Sequence, residues 1–251
     1  MNRLAFFKKE LMQLAKTHRL VAVTVVFLFF GLFSPLTARY INEILAAVGG
    51  GIDLVLPEPS YMDAWGQFFK NISTCMIVFI IMMTGCVAAE KSKGSVLLVL
   101  TKRVSRTNFV LSKAVAGMLL FTLAFALAVA GCVYYISVLF PQASYDGVLP
   151  ALGMSWVQGV FFASFAVFAS TVAKTPTSGA ILGFAGYAVL SIPTAFPSLG
   201  KFTPAGLSNL SIEWIAGTAN TSDALWGVGI AAVIAVAMLF AAIRVFKRQE
   251  L

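Results

Sequence analysis

The chain has 251 residues, of which 59% are hydrophobic and only 11% charged. Soluble domains carry about 25% charged residues, so the composition excludes an ordinary water-soluble globule. The formal net charge of +8 reads as a membrane-topology bias, set out below, and not as a nucleic-acid footprint.

Six apolar runs have the ~20 residues that a helix needs to cross the hydrocarbon layer: Leu20–Thr37, Phe68–Ala88, Ala114–Leu139, Leu149–Val172, Gly179–Ala195 and Ala224–Ile243. None alternates with period two, as a membrane barrel would, and a chain in lipid must satisfy its backbone hydrogen bonds within each segment. The expected fold class is therefore an all-α integral membrane protein with six transmembrane helices, forming one membrane domain over residues 1–251. An even number of crossings puts both termini on one side. Fifteen of the eighteen basic residues fall there, and only Arg39, Lys70 and Lys201 fall on the other. By the positive-inside rule both termini are cytoplasmic, in a multi-pass protein of the plasma (inner, cytoplasmic) membrane with lipid as its immediate partner.

In chain order, residues 1–19 come first. Leu4, Phe7, Leu11 and Leu14 recur at helical spacing, with Lys8, Lys9, Gln13 and Lys16 on other faces. The pattern predicts an amphipathic elbow helix in the cytoplasmic interface. The first run is too long for a signal-peptide core and has no small-residue cleavage site after it, so it reads as a retained span. An outer segment, 38–67, contains Gly49-Gly50-Gly51 and Pro57-Glu58-Pro59 and cannot be one continuous helix; Tyr40–Val48 is predicted as a short one. In the second run Cys75, Met82 and Cys86 share a helical face. Soft sulfur suits Cu(I), yet these positions are spaced ~10 Å and ~6 Å along the axis, too far for one ion, and apolar filling is the better reading.

Phe161, Phe162, Phe165 and Phe168 of the fourth run read as core, as lipid-facing, or as the lining of an apolar path. Gly179, Gly183 and Gly186 of the fifth read as small-residue packing sites and as candidates for a seam between two copies. A second outer segment, 196–223, is punctuated by Pro197, Pro204 and Gly206, with Ser208–Ile215 predicted as a short helix. The four tryptophans, Trp65, Trp156, Trp214 and Trp226, lie near the outer ends of the runs, as interfacial anchors do.

The segment 89–113 carries the most information. The second helix leaves the membrane at Glu90-Lys91-Ser92-Lys93, and Gly94 allows a turn. Ser95–Thr101 is strongly apolar and must pack on lipid, on the bundle or on a partner. Lys102-Arg103-Val104 is a break, and Ser105 reads as the N-cap of a helix that continues through Lys113 into the third run. The expectation is a helix–turn–helix on the cytoplasmic face with basic residues at its tip.

The string Glu90-Lys91-x-x-Gly94-Ser95-x-Leu97-Leu98-x-Leu100-Thr101-Lys102-x-Val104-Ser105-Arg106-Thr107, followed by Lys113, resembles the permeases of ATP-binding-cassette (ABC) type-2 transporters. Those usually read Glu-x-x-x-Gly-Thr, a leucine run, Ser/Thr-x-Pro-Val-Ser-Arg, then Lys; here Ser95 stands for the threonine and Arg103 for the proline. The resemblance implies a type V exporter-like fold with an elbow helix and a cytoplasmic coupling helix. It also implies a second permease copy, in a homodimer or heterodimer, and a cytoplasmic ABC ATPase. That ATPase would bind ATP and Mg and would meet this chain at Glu90, Gly94, Ser95, Thr101, Lys102, Arg103, Val104, Ser105 and Arg106.

The sequence has no GxxxxGK[ST] phosphate-binding string, one histidine (His18) before the first run, and no CxxC spacing among its three cysteines. It is read as a permease and not as an enzyme, with no cofactor or metal of its own and no nucleic-acid partner. No run carries a charged residue deep in its middle, which argues against an ion-coupled carrier and favours an amphipathic, lipid-like or peptide-like cargo. A secondary carrier and a non-transporting assembly or sensor module stand as the alternatives.

Overall fold

The computed structural model describes residues 3–48, 57–101 and 104–249, which are helical almost throughout, with no strand among them. The helices are α1 (Arg3–Lys16), α2 (Arg19–Arg39), α3 (Ile41–Val48), α4 (Tyr61–Ser92), α5 (Ser95–Thr101), α6 (Arg106–Leu139), α7 (Val148–Val172), α8 (Pro176–Ser191), α9 (Pro197–Gly200), α10 (Leu207–Ile215) and α11 (Thr221–Arg248). A 3₁₀ turn, Ile192–Ala195, extends α8, and another, Pro204–Gly206, leads into α10. Six helices are long and apolar enough to cross a membrane: α2, α4, α6, α7, α8 with its extension, and α11.

Two of them outrun the apolar runs that announce them. Helix α4 has 32 residues and α6 has 34, or about 48 and 51 Å at 1.5 Å per residue, against a hydrocarbon layer of ~30 Å. Hydropathy marks only the part that lipid would cover; caps mark the ends. Helix α4 opens at Ser60, whose Oγ accepts from the Asp63 N–H (3.4 Å) while Asp63 Oδ2 accepts from the Ser60 N–H (2.9 Å). This reciprocal capping box extends the helix well into the segment expected to be outer loop. Helix α1 ends where His18 takes a left-handed φ of 57°, a conformation that histidine tolerates better than most residues.

Helices α4, α6 and α7 supply most of the buried surface, while α8 and α11 turn most of theirs outward. Helix α2 packs along α6 and α4, α11 along α7, and α8 along α4. Close approach explains several glycines. A Cβ on Gly31 of α2 would stand 2.7 Å from the Ala128 Cα of α6, and one on Gly179 of α8 would stand 2.8 Å from the Thr84 carbonyl oxygen of α4. Gly179 and Gly183 therefore serve packing inside one chain, the first of the two readings given for them.

One other expectation changes, and one open reading is narrowed, on the ground of burial. Trp65 is wholly buried and packs edge-on against Phe68 (5.6 Å between centroids), so it is core and not an interfacial anchor. Phe161, Phe162 and Phe165 are also core. The short helices at Ile41–Val48 and Leu207–Ile215 form as expected.

Candidate functional site

The N-terminal helix, the α4–α6 connection and the end of α11 converge at one end of the bundle. Three rings mark the junction: Phe6 of α1 stacks on Phe109 of α6 (5.7 Å between centroids), and Phe109 stacks on Phe246 of α11 (5.0 Å, 4° between planes). All three are almost fully buried. They dock α1 on the bundle by the face that carries Phe6, Glu10 and Leu14, four residues apart.

Of the residues expected to face the membrane interface, Leu14 is buried against the bundle, Phe7 is half-buried and Leu11 is exposed. The side chain of Leu4 lies outside the described residues. The face turned to the bundle carries the acidic Glu10 between Phe6 and Leu14.

Glu10 meets Lys113. Lys113 Nζ, on a side chain only 1% exposed, lies 2.8 Å from Glu10 Oε2 and 2.8 Å from Glu90 Oε1. Lys9 closes the network at 3.0 Å from Glu10 Oε1 and 3.2 Å from Glu90 Oε1. Two cations thus face two carboxylates, and the network is neutral. Neutrality matters, because each ion buried without a partner costs several kcal/mol. The Lys113 ammonium also sits 4.9 Å from the centre of the Phe109 ring, one turn away on α6, in cation–π range.

The next residue of α4 serves a different helix. Lys91 Nζ donates to the carbonyls of Thr171 (2.7 Å) and Ala173 (2.8 Å), capping the end of α7. Gln249 adds a hydrogen bond from Nε2 to the Thr171 carbonyl (3.0 Å). Just above, Ser170 Oγ accepts from the Val87 and Ala88 N–H groups of α4 (2.9 and 3.1 Å). At the start of α6, Arg106 Nη1 donates toward the carbonyls of Phe246 (3.2 Å), Lys247 (2.8 Å) and Gln249 (2.9 Å), capping α11. The last carbonyls of a helix lack intrahelical partners and carry partial negative charge, so a cation is the natural cap.

The connection itself is a tight hairpin. Gly94 takes φ 66° and ends α4, a conformation that glycine adopts without penalty. Ser95 Oγ donates to the Glu90 carbonyl (3.2 Å) and holds α5 against α4. Val96 and Val104 are buried, Thr101 is exposed with its hydroxyl turned to the Leu98 carbonyl (3.0 Å), and Ser105 Oγ accepts from the Asn108 N–H (3.2 Å) as the N-cap of α6. Leu97 and Leu98 are 49% and 70% exposed. Lys102 and Arg103 lie outside the described residues.

Of the residues assigned to a partner surface, Glu90 and Arg106 are thus committed inward, and Gly94, Ser95, Val104 and Ser105 shape the hairpin. Its outward surface is carried by Leu97, Leu98 and Thr101. Glu10, Lys9 and the capping role of Lys91 escaped the sequence reading. One signal was there: Glu10 is the first acidic residue of the chain, and the next is Glu43. A lone acid between Phe6 and Leu14 needs a buried cation.

The sequence profile described as "Protein of unknown function (DUF2705)" matches residues 19–251. The chain belongs to the DUF2705 family. It is also similar to the uncharacterized transmembrane protein YxlG of Bacillus subtilis (strain 168), at 25% identity over 209 residues, 80% of each chain. These findings overturn the assignment to the ABC type-2 permeases that the Glu90–Thr107 string suggested. The physical reason is plain in the geometry: a C-terminal glycine, a seryl N-cap and two capping cations encode a hairpin between long helices, and that need is not special to one family. What the relative's name and the six apolar helices support is a membrane protein.

Proposed function

We propose that the chain is the membrane-spanning permease subunit of a transport complex, driven by a separate cytoplasmic ATPase that pushes on the α4–α5–α6 hairpin. The reading stands on the anchoring of that hairpin. Its two arms are tied to α1 by Lys113, to α7 by Lys91 and to α11 by Arg106, while Leu97 and Leu98 face outward. A push on α5 would be felt by three other helices at once. The basic majority on this side supports a cytoplasmic position for it and for both termini, in a protein of the plasma membrane. ATP and Mg would be bound by the partner, and a second permease copy would complete the path. The sparse charge within the spans fits an amphipathic, lipid-like or peptide-like cargo.

The test is co-purification of the full chain from its native membrane in mild detergent, followed by an ATP-hydrolysis assay. The expected result is a stoichiometric ATPase that is lost when Leu97→Asp and Leu98→Asp are combined, with the folded yield retained. A folded chain without any ATPase, or one that keeps it in the double variant, would defeat the reading. Hydrolysis by the chain alone would defeat it as well.

A further inference from the structure

Lys70 is the one charged residue inside any of the six apolar runs. A charge at such a place needs water or a counter-ion. The polar residues beside it on α4 have partners: Gln67 Nε2 donates to Asn71 Oδ1 (3.5 Å), and Asn71 Nδ2 donates to Ser34 Oγ of α2 (2.9 Å). Lys201, at the same end of the bundle, is paired with Asp223. Lys70 is exposed and forms no ion pair among the described residues.

Lys70 lines a cleft of about 510 Å³ between the end of α2, the start of α4 and α10. The volume falls in the range of about 300–1,000 Å³ usual for small-ligand sites. Charge changes sign along the cleft. Asp63 and Glu58 also line it, and both are exposed. The neutral donors of Ser60 hold the Asp63 carboxylate without cancelling its charge. Asp63 precedes Lys70 by seven residues, or ~10.5 Å along the helix axis. Ile212 and Ile215 of α10 give the same cleft an apolar wall.

A ligand that answers all of this carries an anion at one end, a cation at the other and hydrocarbon between. A simple cation is repelled by Lys70, and a polyanion by Asp63 and Glu58. A fatty acid answers Lys70 and brings nothing to the carboxylates. An amino acid or a zwitterionic lipid headgroup has both charges, but only a few bonds apart. A span of ~10.5 Å is that of about three residues of extended chain. We propose that this cleft binds a short apolar peptide by its two ends. The C-terminal carboxylate pairs with Lys70, the N-terminal ammonium lies at Asp63 and Glu58, and the side chains pack on Ile212 and Ile215. The inference does not rest on the transport role proposed above. The cleft is at the other end of the bundle from the hairpin, and binding there requires no ATPase.

The test is calorimetric titration of the full chain, in a non-ionic detergent, with the tripeptide leucyl-alanyl-leucine in four forms: both ends free, N-acetylated, C-amidated and doubly blocked. The expected result is one free peptide per chain, weakened at least about tenfold by amidation, because a charge-assisted contact is lost. Acetylation should weaken it less, about threefold, because the carboxylates it would leave are exposed to water. Lys70→Gln should bring the free peptide down to the affinity of the amide and leave the amide unchanged, a pattern that a folding defect does not produce. Glu58→Gln should shrink the effect of acetylation while leaving the Asp63 cap intact. Free acid and amide binding equally, or no form binding to the folded chain, would overturn the proposal. Monomeric laurate bound as tightly as the peptide, and lost in Lys70→Gln, would make this a fatty-anion site instead. A dimer that falls apart in Lys70→Gln, without peptide binding in either chain, would give the cleft to a second copy.

Discussion

The two ends of the bundle are held by different chemistry. At the end with both termini, ions do the joining: Lys113 with Glu10 and Glu90, Lys91 on α7, Arg106 on α11. Toward the other end, α7 meets α10 and the Pro204–Gly206 turn through neutral groups. Ser211 Oγ lies 2.9 Å from the carbonyls of Ala151 and Leu207 and 3.2 Å from Ser155 Oγ, and Gln158 Nε2 donates to the Ala205 carbonyl (2.8 Å). Neutral bonds are cheap to bury and modest in strength, averaging about 0.6 kcal/mol between helices in a membrane. An ionic network is nearly all or nothing: intact it is neutral, and with one member gone it strands a buried charge.

Removing Lys113 tests that contrast most severely. Lys113→Ala would leave Glu10 and Glu90 buried with only the half-exposed Lys9 between them, and should cost about 3–5 kcal/mol. The measurement is folded yield and thermal unfolding in detergent. Combining Glu10→Gln, Glu90→Gln and Lys113→Met should recover much of the loss, because no buried ion remains to be stranded and Lys9, 39% exposed, keeps its water. If the triple variant is as unstable as Lys113→Ala, shape and not charge holds this end. Phe109→Ala is next, at roughly 3 kcal/mol, since it empties the middle of the Phe6–Phe109–Phe246 stack and uncovers the Lys113 ammonium. Ser211→Ala, at the other end, should cost only about 1 kcal/mol. A cost matching that of Lys113→Ala would erase the distinction between the two regions.

What the sequence discloses follows the range of the physics. The six crossing helices are legible because hydropathy is local, and the Ser105 cap and the Gly94 turn because their geometry is set within a few residues. The start of α4 at Tyr61 was missed although its capping pair, Ser60 and Asp63, is equally local; the nearby glycines and prolines spoke for loop. The ion network is another matter. Glu10 and Lys113 are 103 positions apart, and their meeting depends on which face α1 turns to the bundle. Helical spacing picks out Leu4, Phe7, Leu11 and Leu14 as an interfacial stripe; that Phe6, Glu10 and Leu14 form the face docked on the bundle is visible only in the packed structure.

The smallest effect is expected where the other end does carry an ion pair. Lys201 Nζ lies 2.8 Å from Asp223 Oδ2, tying the loop after α9 to the first turn of α11, with both side chains partly exposed. The hydrogen bond and charge of Asp223 hold the Lys201 ammonium above its ordinary value of 10.5. A raised value means that the contact contributes fully below the unfolded-chain value and is lost as pH climbs through the folded one, so the change falls above pH 10.5. Exposed pairs are weak and screened, so Lys201→Met should lower thermal stability only slightly at pH 7, and less still in high salt. The small difference from the unaltered chain should vanish above the folded value, where position 201 is uncharged in both chains. A difference that persists there would belong to the aliphatic stem packing on the loop. One as large as that of Lys113→Ala would mean that burial does not separate the ion pairs of the two ends after all.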